Sequence, residues 1–159
     1  MKTIVAADNG VSGSWAIGRA DGTVEYYPTP VKKCRNYTKV EAHLQRIDVD
    51  KLTAILCKLP KDTLVILERP LVNPGRFKAT ISAVRCLEAT LIVLEQLKLN
   101  SITYIDSRQW QESMLPGVKG SDELKAASLT KGKELFPNLE IKKDADALLI
   151  LVWARKTNL

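Results

Sequence analysis

Three distant stretches of the chain each deliver a carboxylate at the edge of an expected element. Asp8 follows the apolar run Ile4-Val5-Ala6-Ala7, Glu68 follows Leu64-Val65-Ile66-Leu67, and Asp146, with Asp144 two residues before it, opens a strongly apolar final segment. Element edges of this kind converge in α/β sheets. Hard divalent cations such as Mg2+ take oxygen ligands, and a pair of them activates water and stabilises the leaving oxygen of a phosphodiester. The acids suit that chemistry. Each also has a plainer reading. Asp8-Asn9-Gly10 is an ordinary turn sequence, Glu68 could be buried and paired with Arg69, and Asp144 and Asp146 could serve a helix N-terminus. The combination carries the chemistry, not any one acid. The single histidine, His43, falls in an expected helical region as an exposed or packed residue, so a zinc site is not expected.

The acids need elements to hold them. Residues 2–7 read as a buried strand, 12–20 as a second with alternating Trp15 and Ile17, and 23–27 as a third ended by Pro28 and Pro30, with turns at Asp8-Asn9-Gly10 and Asp21-Gly22. Capping-box spacing in Thr38-Lys39-Val40-Glu41 and apolar residues at Leu44, Ile47, Leu52, Ile55, Leu56 and Leu59 predict one helix or two reaching Pro60. Thr63 to Leu67 is continuously apolar, as a central parallel strand covered on both faces should be. Ile81, Val84, Leu87, Leu91, Leu94 and Leu97 keep helical spacing and predict an amphipathic helix over 78–98, with a strand at 102–105 after it. Asp106 with Gln109 predicts a capped short helix over 107–114. Ser121 is the expected cap of a helix to Phe136 that Gly132 weakens, and a last helix starts near Asp146. The expected fold class is α/β, with a mixed central sheet of about five strands, an antiparallel three-stranded meander plus parallel strands, flanked by helices. The order is similar to that of ribonuclease H.

Composition sets the wider frame. The 159 residues carry 24 Lys+Arg against 18 Asp+Glu, a net charge of +6, with 45% hydrophobic residues, so a single domain over 1–159 with a sizeable core is expected. The positive balance suggests a polyanionic partner. No apolar run approaches the roughly 20 residues that span a bilayer, and the first apolar run is too short for a signal peptide. A cytoplasmic protein without a membrane segment is expected. Cys34, Cys57 and Cys86 form no Cys-x-x-Cys pair and read as reduced core thiols.

Asp8-Asn9-Gly10 with Gly13, Glu68 after Val65-Ile66-Leu67, and Asp146-Ala147-Leu148-Leu149 resemble the RuvC family of Holliday junction resolvases, most of all its small phage and bacterial members. Trp110-Gln111, Lys125 and Leu135-Phe136-Pro137 sit where such relatives carry similar residues, so the resemblance covers nearly the whole chain. It implies a ribonuclease H-like fold, a homodimer, two Mg2+ ions per active site with Mn2+ able to substitute, and paired nicks across four-way DNA junctions. By position, Asp8, Glu68 and Asp146 would be the catalytic metal ligands, with Asp8 shared between the ions. The family commonly has an acid or histidine three residues before the position of Asp146, and Lys143 stands there. Asp144 can join as the fourth ligand only from an irregular lead-in, because residues two apart on a helix point about 200° apart. Otherwise it is a cap, and a fold with an incomplete site could bind branched DNA without cutting it.

The segment 69–78 follows an expected ligand directly and reads as a DNA-contacting loop. Phe77 is a candidate for stacking on a base or for anchoring the next helix in the core. Arg76, Lys78, Arg85, Lys119 and Lys125 are candidate phosphate contacts. Lys125 lies early on its helix, where a cation gains nothing from the dipole, so a phosphate or a ligand carboxylate would account for it. The helix over 78–98 has a plain core stripe, and the resemblance implies that it also helps form a dimer interface.

Overall fold

The computed structural model describes residues 2–36 and 38–159. In chain order its elements are β1 (Ile4–Ala7), β2 (Ser14–Gly18), β3 (Val24–Pro28), β4 (Val31–Arg35), β5 (His43–Ile47), α1 (Val49–Leu56), β6 (Leu64–Glu68), a 3-10 turn (Pro74–Arg76), α2 (Phe77–Gln96), β7 (Ser101–Ile105), α3 (Ser107–Met114), α4 (Ser121–Leu135) and α5 (Asp146–Lys156). The five-stranded sheet runs β3-β2-β1-β6-β7. β1 pairs antiparallel with β2 and β2 with β3, whereas β1 and β6, and β6 and β7, pair parallel.

β1 is apolar throughout, and β6 up to its last residue Glu68, because both faces of the sheet are covered. Ile4 and Ala6 of β1 and Ile66 of β6 point into a core shared with α3, α4 and α5. Val5, Ala7, Val65 and Leu67 point the other way, into a core shared with α1 and α2. α5 crosses β1 and β2 with Ala147, Leu148, Leu149, Ile150 and Leu151 all buried, so this helix is apolar all round. Gly132 of α4 faces it. A Cβ at that position would strike the Ala145 Cβ, so the glycine that lowers helix propensity lets α4 approach the start of α5.

The helix expected through Leu52, Ile55 and Leu56 forms as α1, whereas residues 38–47 depart from the helical expectation. β4 and β5 form a separate two-stranded ribbon, from Val31 opposite Ile47 to Arg35 opposite His43. Leu44 and Ile47, three apart as on a helix, instead occupy opposite faces of β5, and Ile47 alone of the two is fully buried. The Thr38 hydroxyl donates to the Val40 carbonyl within the connection at 2.9 Å and caps no helix. The true helix start is Asp48, whose carboxylate accepts from the Lys51 amide at 3.3 Å. His43 therefore lies exposed on a strand.

Smaller expectations divide. The Asp106–Gln109 capping box forms. Ser121 is the first residue of α4 rather than its cap, a position taken by Gly120 at φ +95°. All three thiols are free, but only Cys86 is in the core, Cys34 being half-buried and Cys57 exposed. Among the described residues, no helix is long and apolar enough to cross a membrane.

Candidate active site

The parallel pairing of β1 and β6 sets Ala7 opposite Leu67, so Asp8 and Glu68 emerge together at the carboxyl ends of neighbouring strands. Asp8 begins a tight turn in which Gly10 N–H donates to the Asp8 carbonyl at 3.0 Å and Gly13 N–H to the Gly10 carbonyl at 3.1 Å. Gly13 is required sterically. A Cβ there would strike the Asp8 carbonyl and lie 2.7 Å from Asp8 Oδ2. The buried Asn9 fixes the turn from the other side, its Oδ1 accepting from Thr90 Oγ1 of α2 at 3.1 Å.

The remaining acids come from the start of α5. Asp144 lies in the irregular lead-in, the one geometry that lets it share a site with Asp146. Carboxylate oxygens of Asp8, Asp144 and Asp146 all lie within 4.8 Å of one another. Glu68 stands beside them, close enough that its charge acts on Asp8 and theirs on it. Asp144 also does what a cap does, its Oδ1 accepting from the Asp146 amide at 3.1 Å.

Neutral donors orient three of the four. Trp110 of α3 donates its indole N–H to Glu68 Oε2 at 2.8 Å. Ser128 of α4 donates to Asp146 Oδ1, and Ser14 of β2 donates to Asp144 Oδ2. Arg69 is not the partner of Glu68; it pairs with Asp106 at 2.9 Å on the surface. Among the described residues the glutamate has no ion-pair partner, which removes the plainest structural explanation for it.

Crowding four acids away from water raises their pKa values. Burial, then the charges of Asp144, Glu68 and Asp146, holds Asp8 well above the ordinary carboxylate range, with Lys125 pulling the other way. Burial pushes Glu68 up to about 7, against the opposing Trp110 hydrogen bond. Burial and the Asp144 charge push Asp146 up to about 6, and burial raises Asp144. Lys125 is the cation that opposes this charge at Asp8, Asp144 and Asp146, so its place early on α4 is answered by carboxylates. A clustered, oxygen-only donor set held against its own repulsion fits a hard divalent cation such as Mg2+ or Mn2+.

The other sequence candidates lie around this centre. Arg76 and Phe77 are exposed where the loop from Glu68 meets α2, and Phe77, 68% exposed, is no core anchor. Leu71 and Val72, which the sequence reading did not single out, are as open at 76% and 65%. A cleft of about 870 Å³ runs between α2 and the ribbon, with Phe77, Lys78 and Arg85 on one wall and Arg35 and Arg46 on the other. Lys119 is exposed in the connection to α4.

No protein-family model matches this sequence, and no curated protein matches it. Solved structures do. A Thermus thermophilus RuvC in complex with a Holliday junction substrate superposes with a TM-score of 0.59 over 99% of this chain and 95% of that one, at 11% identity. The chain has the RuvC fold. A second Thermus thermophilus RuvC structure agrees, with a TM-score of 0.52 over 98% of this chain and 96% of that one, at 12% identity. The RuvC likeness covers nearly the whole chain, and with it the ribonuclease H-like architecture expected from the order of elements. Ser14, Tyr26, Ser128 and the Glu68-directed role of Trp110 are what the sequence reading missed, because each acts on an acid far away in sequence.

Proposed function

We propose that this protein is a structure-selective DNA endonuclease, a single domain over residues 1–159 that resolves four-way junctions by paired nicks. The observation that carries the reading is the meeting of Asp8, Asp144 and Asp146, with Glu68 beside them, at one edge of a RuvC-fold sheet. A RuvC of that fold has been seen with a Holliday junction substrate, which makes branched DNA the substrate class to test.

Asp8, Glu68, Asp144 and Asp146 would hold two divalent cations per site, Mg2+ or Mn2+. When bound, such ions supply Lewis acidity at a phosphodiester and lower the pKa of the attacking water. The chain's own residues do the rest. Trp110 and Ser128 fix the rotamers of Glu68 and Asp146. Lys125 offsets the negative charge that would otherwise repel a phosphate. Arg76, Lys78, Arg85 and Lys119 contact the DNA backbone around the site, and the exposed Phe77 stacks on an unpaired base near the branch.

Paired nicks need two sites related by a two-fold axis, so the working unit is a homodimer. The surface that favours it is α2, where Val84 and Ile92 are 46% and 43% exposed on a helix whose other face is core. The test offers a labelled four-way junction and a duplex of matched sequence to the protein in Mg2+. Symmetrically paired nicks on the junction alone establish the activity. Tight junction binding with no nick under any divalent metal would replace it with a non-cleaving branched-DNA-binding protein.

A further inference from the structure

Asp144 lies within no strand or helix, since α5 begins at Asp146 and residues 142–145 pair with no strand, and unlike Asp8 it does not directly follow a strand of the sheet. Its position is held from elsewhere. Ser14, fully buried at the start of β2, donates to Asp144 Oδ2, and its own oxygen accepts from the Ala147 amide at 3.4 Å. That acceptance directs the Ser14 hydrogen to the carboxylate. Tyr26 of β3 donates its hydroxyl to the Asp144 backbone carbonyl at 2.5 Å. Ser14 pairs with Pro28 and Ala16 with Tyr26, so Ser14 and Tyr26 are diagonal neighbours on one face of the meander.

The two contacts act on different parts of the same residue. One fixes the carboxylate, the other fixes the peptide that carries it, and both come from adjacent antiparallel strands of the five-stranded sheet. Without them, the hydrogen bond left to Asp144 among the described residues is the local one to the Asp146 amide, which any capping aspartate makes.

We infer that Ser14 and Tyr26 are positioning residues that hold Asp144 in the metal site from the meander. The inference rests on the reading of Asp8, Asp144 and Asp146 as cation ligands. Its test is Mn2+ binding by calorimetry, without DNA, on the wild type and on Asp8→Asn, Asp144→Asn, Ser14→Ala, Tyr26→Phe and Tyr26→Phe/Asp144→Asn, each checked for native circular dichroism. Tyr26→Phe is the decisive variant because it removes one hydroxyl and keeps the ring.

The expected result is that Tyr26→Phe and Ser14→Ala each weaken Mn2+ binding by roughly tenfold or more. Tyr26→Phe should cost nothing further once Asp144 is asparagine, a non-additivity that general destabilisation would not give. Full Mn2+ affinity in Tyr26→Phe, or an equal loss in both backgrounds, overturns the inference. If that happens while Asp8→Asn still abolishes binding, the cation site stands and only the positioning role falls. If the wild type binds no Mn2+, both fall.

Discussion

The indole N–H of Trp110 reaches Glu68 Oε2 at 2.8 Å across 42 residues of sequence, and this hydrogen bond opposes the upward pull of burial on that carboxyl. A donor to the charged form favours ionisation. Its removal leaves Glu68 more often protonated near neutral pH. Trp110→Phe is therefore expected to lower the nicking rate roughly tenfold at pH 7. The loss should shrink as the pH is raised to 9, where Glu68 ionises regardless. A pH–rate profile of both proteins checks this, and a loss independent of pH would assign Trp110 to packing alone.

Stability of the metal-free protein should fall as pH rises. Acids in an unfolded chain titrate near 4, whereas in the folded site Asp146 sits at about 6 and Glu68 at about 7. Between those limits the folded state binds more protons, so raising the pH removes stability. Moving Glu68 from 4.5 to about 7 corresponds to a cost on the order of 3 kcal/mol at high pH. Thermal melts in EDTA should show a lower Tm at pH 8 than at pH 5. Asp8→Asn should raise the pH 8 value by roughly 5 °C, and Mg2+ should stabilise the wild type at pH 8 but not at pH 5. A flat Tm across this range would contradict the crowded-acid picture.

Gly132→Ala sets two effects against each other. Alanine gains about 1 kcal/mol of helix propensity, but its Cβ meets Ala145 between Asp144 and Asp146, and overpacking of a tight contact costs about 1–3 kcal/mol. The clash should win. Urea unfolding is expected to show net destabilisation, with partial recovery when Ala145 is changed to glycine as well.

The exposed stripe on α2 gives a separate test. Sedimentation should show a dimer for the wild type and a monomer for Ile92→Glu, with little change in Tm because Ile92 is 43% exposed in the single chain. A monomeric wild type would leave paired nicking without its two-fold axis.

The parts of this account that were legible in sequence are those in which burial dictates residue type locally. β1 and β6 show as continuous apolar runs because both faces are covered, and α2 shows by its spacing. The ribbon of β4 and β5 was not legible. Lys32, Lys33 and Arg46 are exposed, so Lys-Lys-Cys-Arg carries no alternation, while Leu44 and Ile47 happen to be three apart. At the site, the acids at strand and helix edges could be read from position. Whether Asp144 joins them depended on the backbone path of residues 142–145 and on Ser14 and Tyr26, 130 and 118 residues away. No local pattern encodes that.

Cutting of branched DNA by the clustered carboxylates with divalent metal would turn on Asp8. The most direct measurement compares wild type and Asp8→Asn on an end-labelled four-way junction in Mg2+ and in EDTA. The account predicts paired nicks by the wild type in Mg2+ only, and at least a hundredfold loss in Asp8→Asn with junction binding retained. Nicking that survives in Asp8→Asn, or in EDTA, would contradict it.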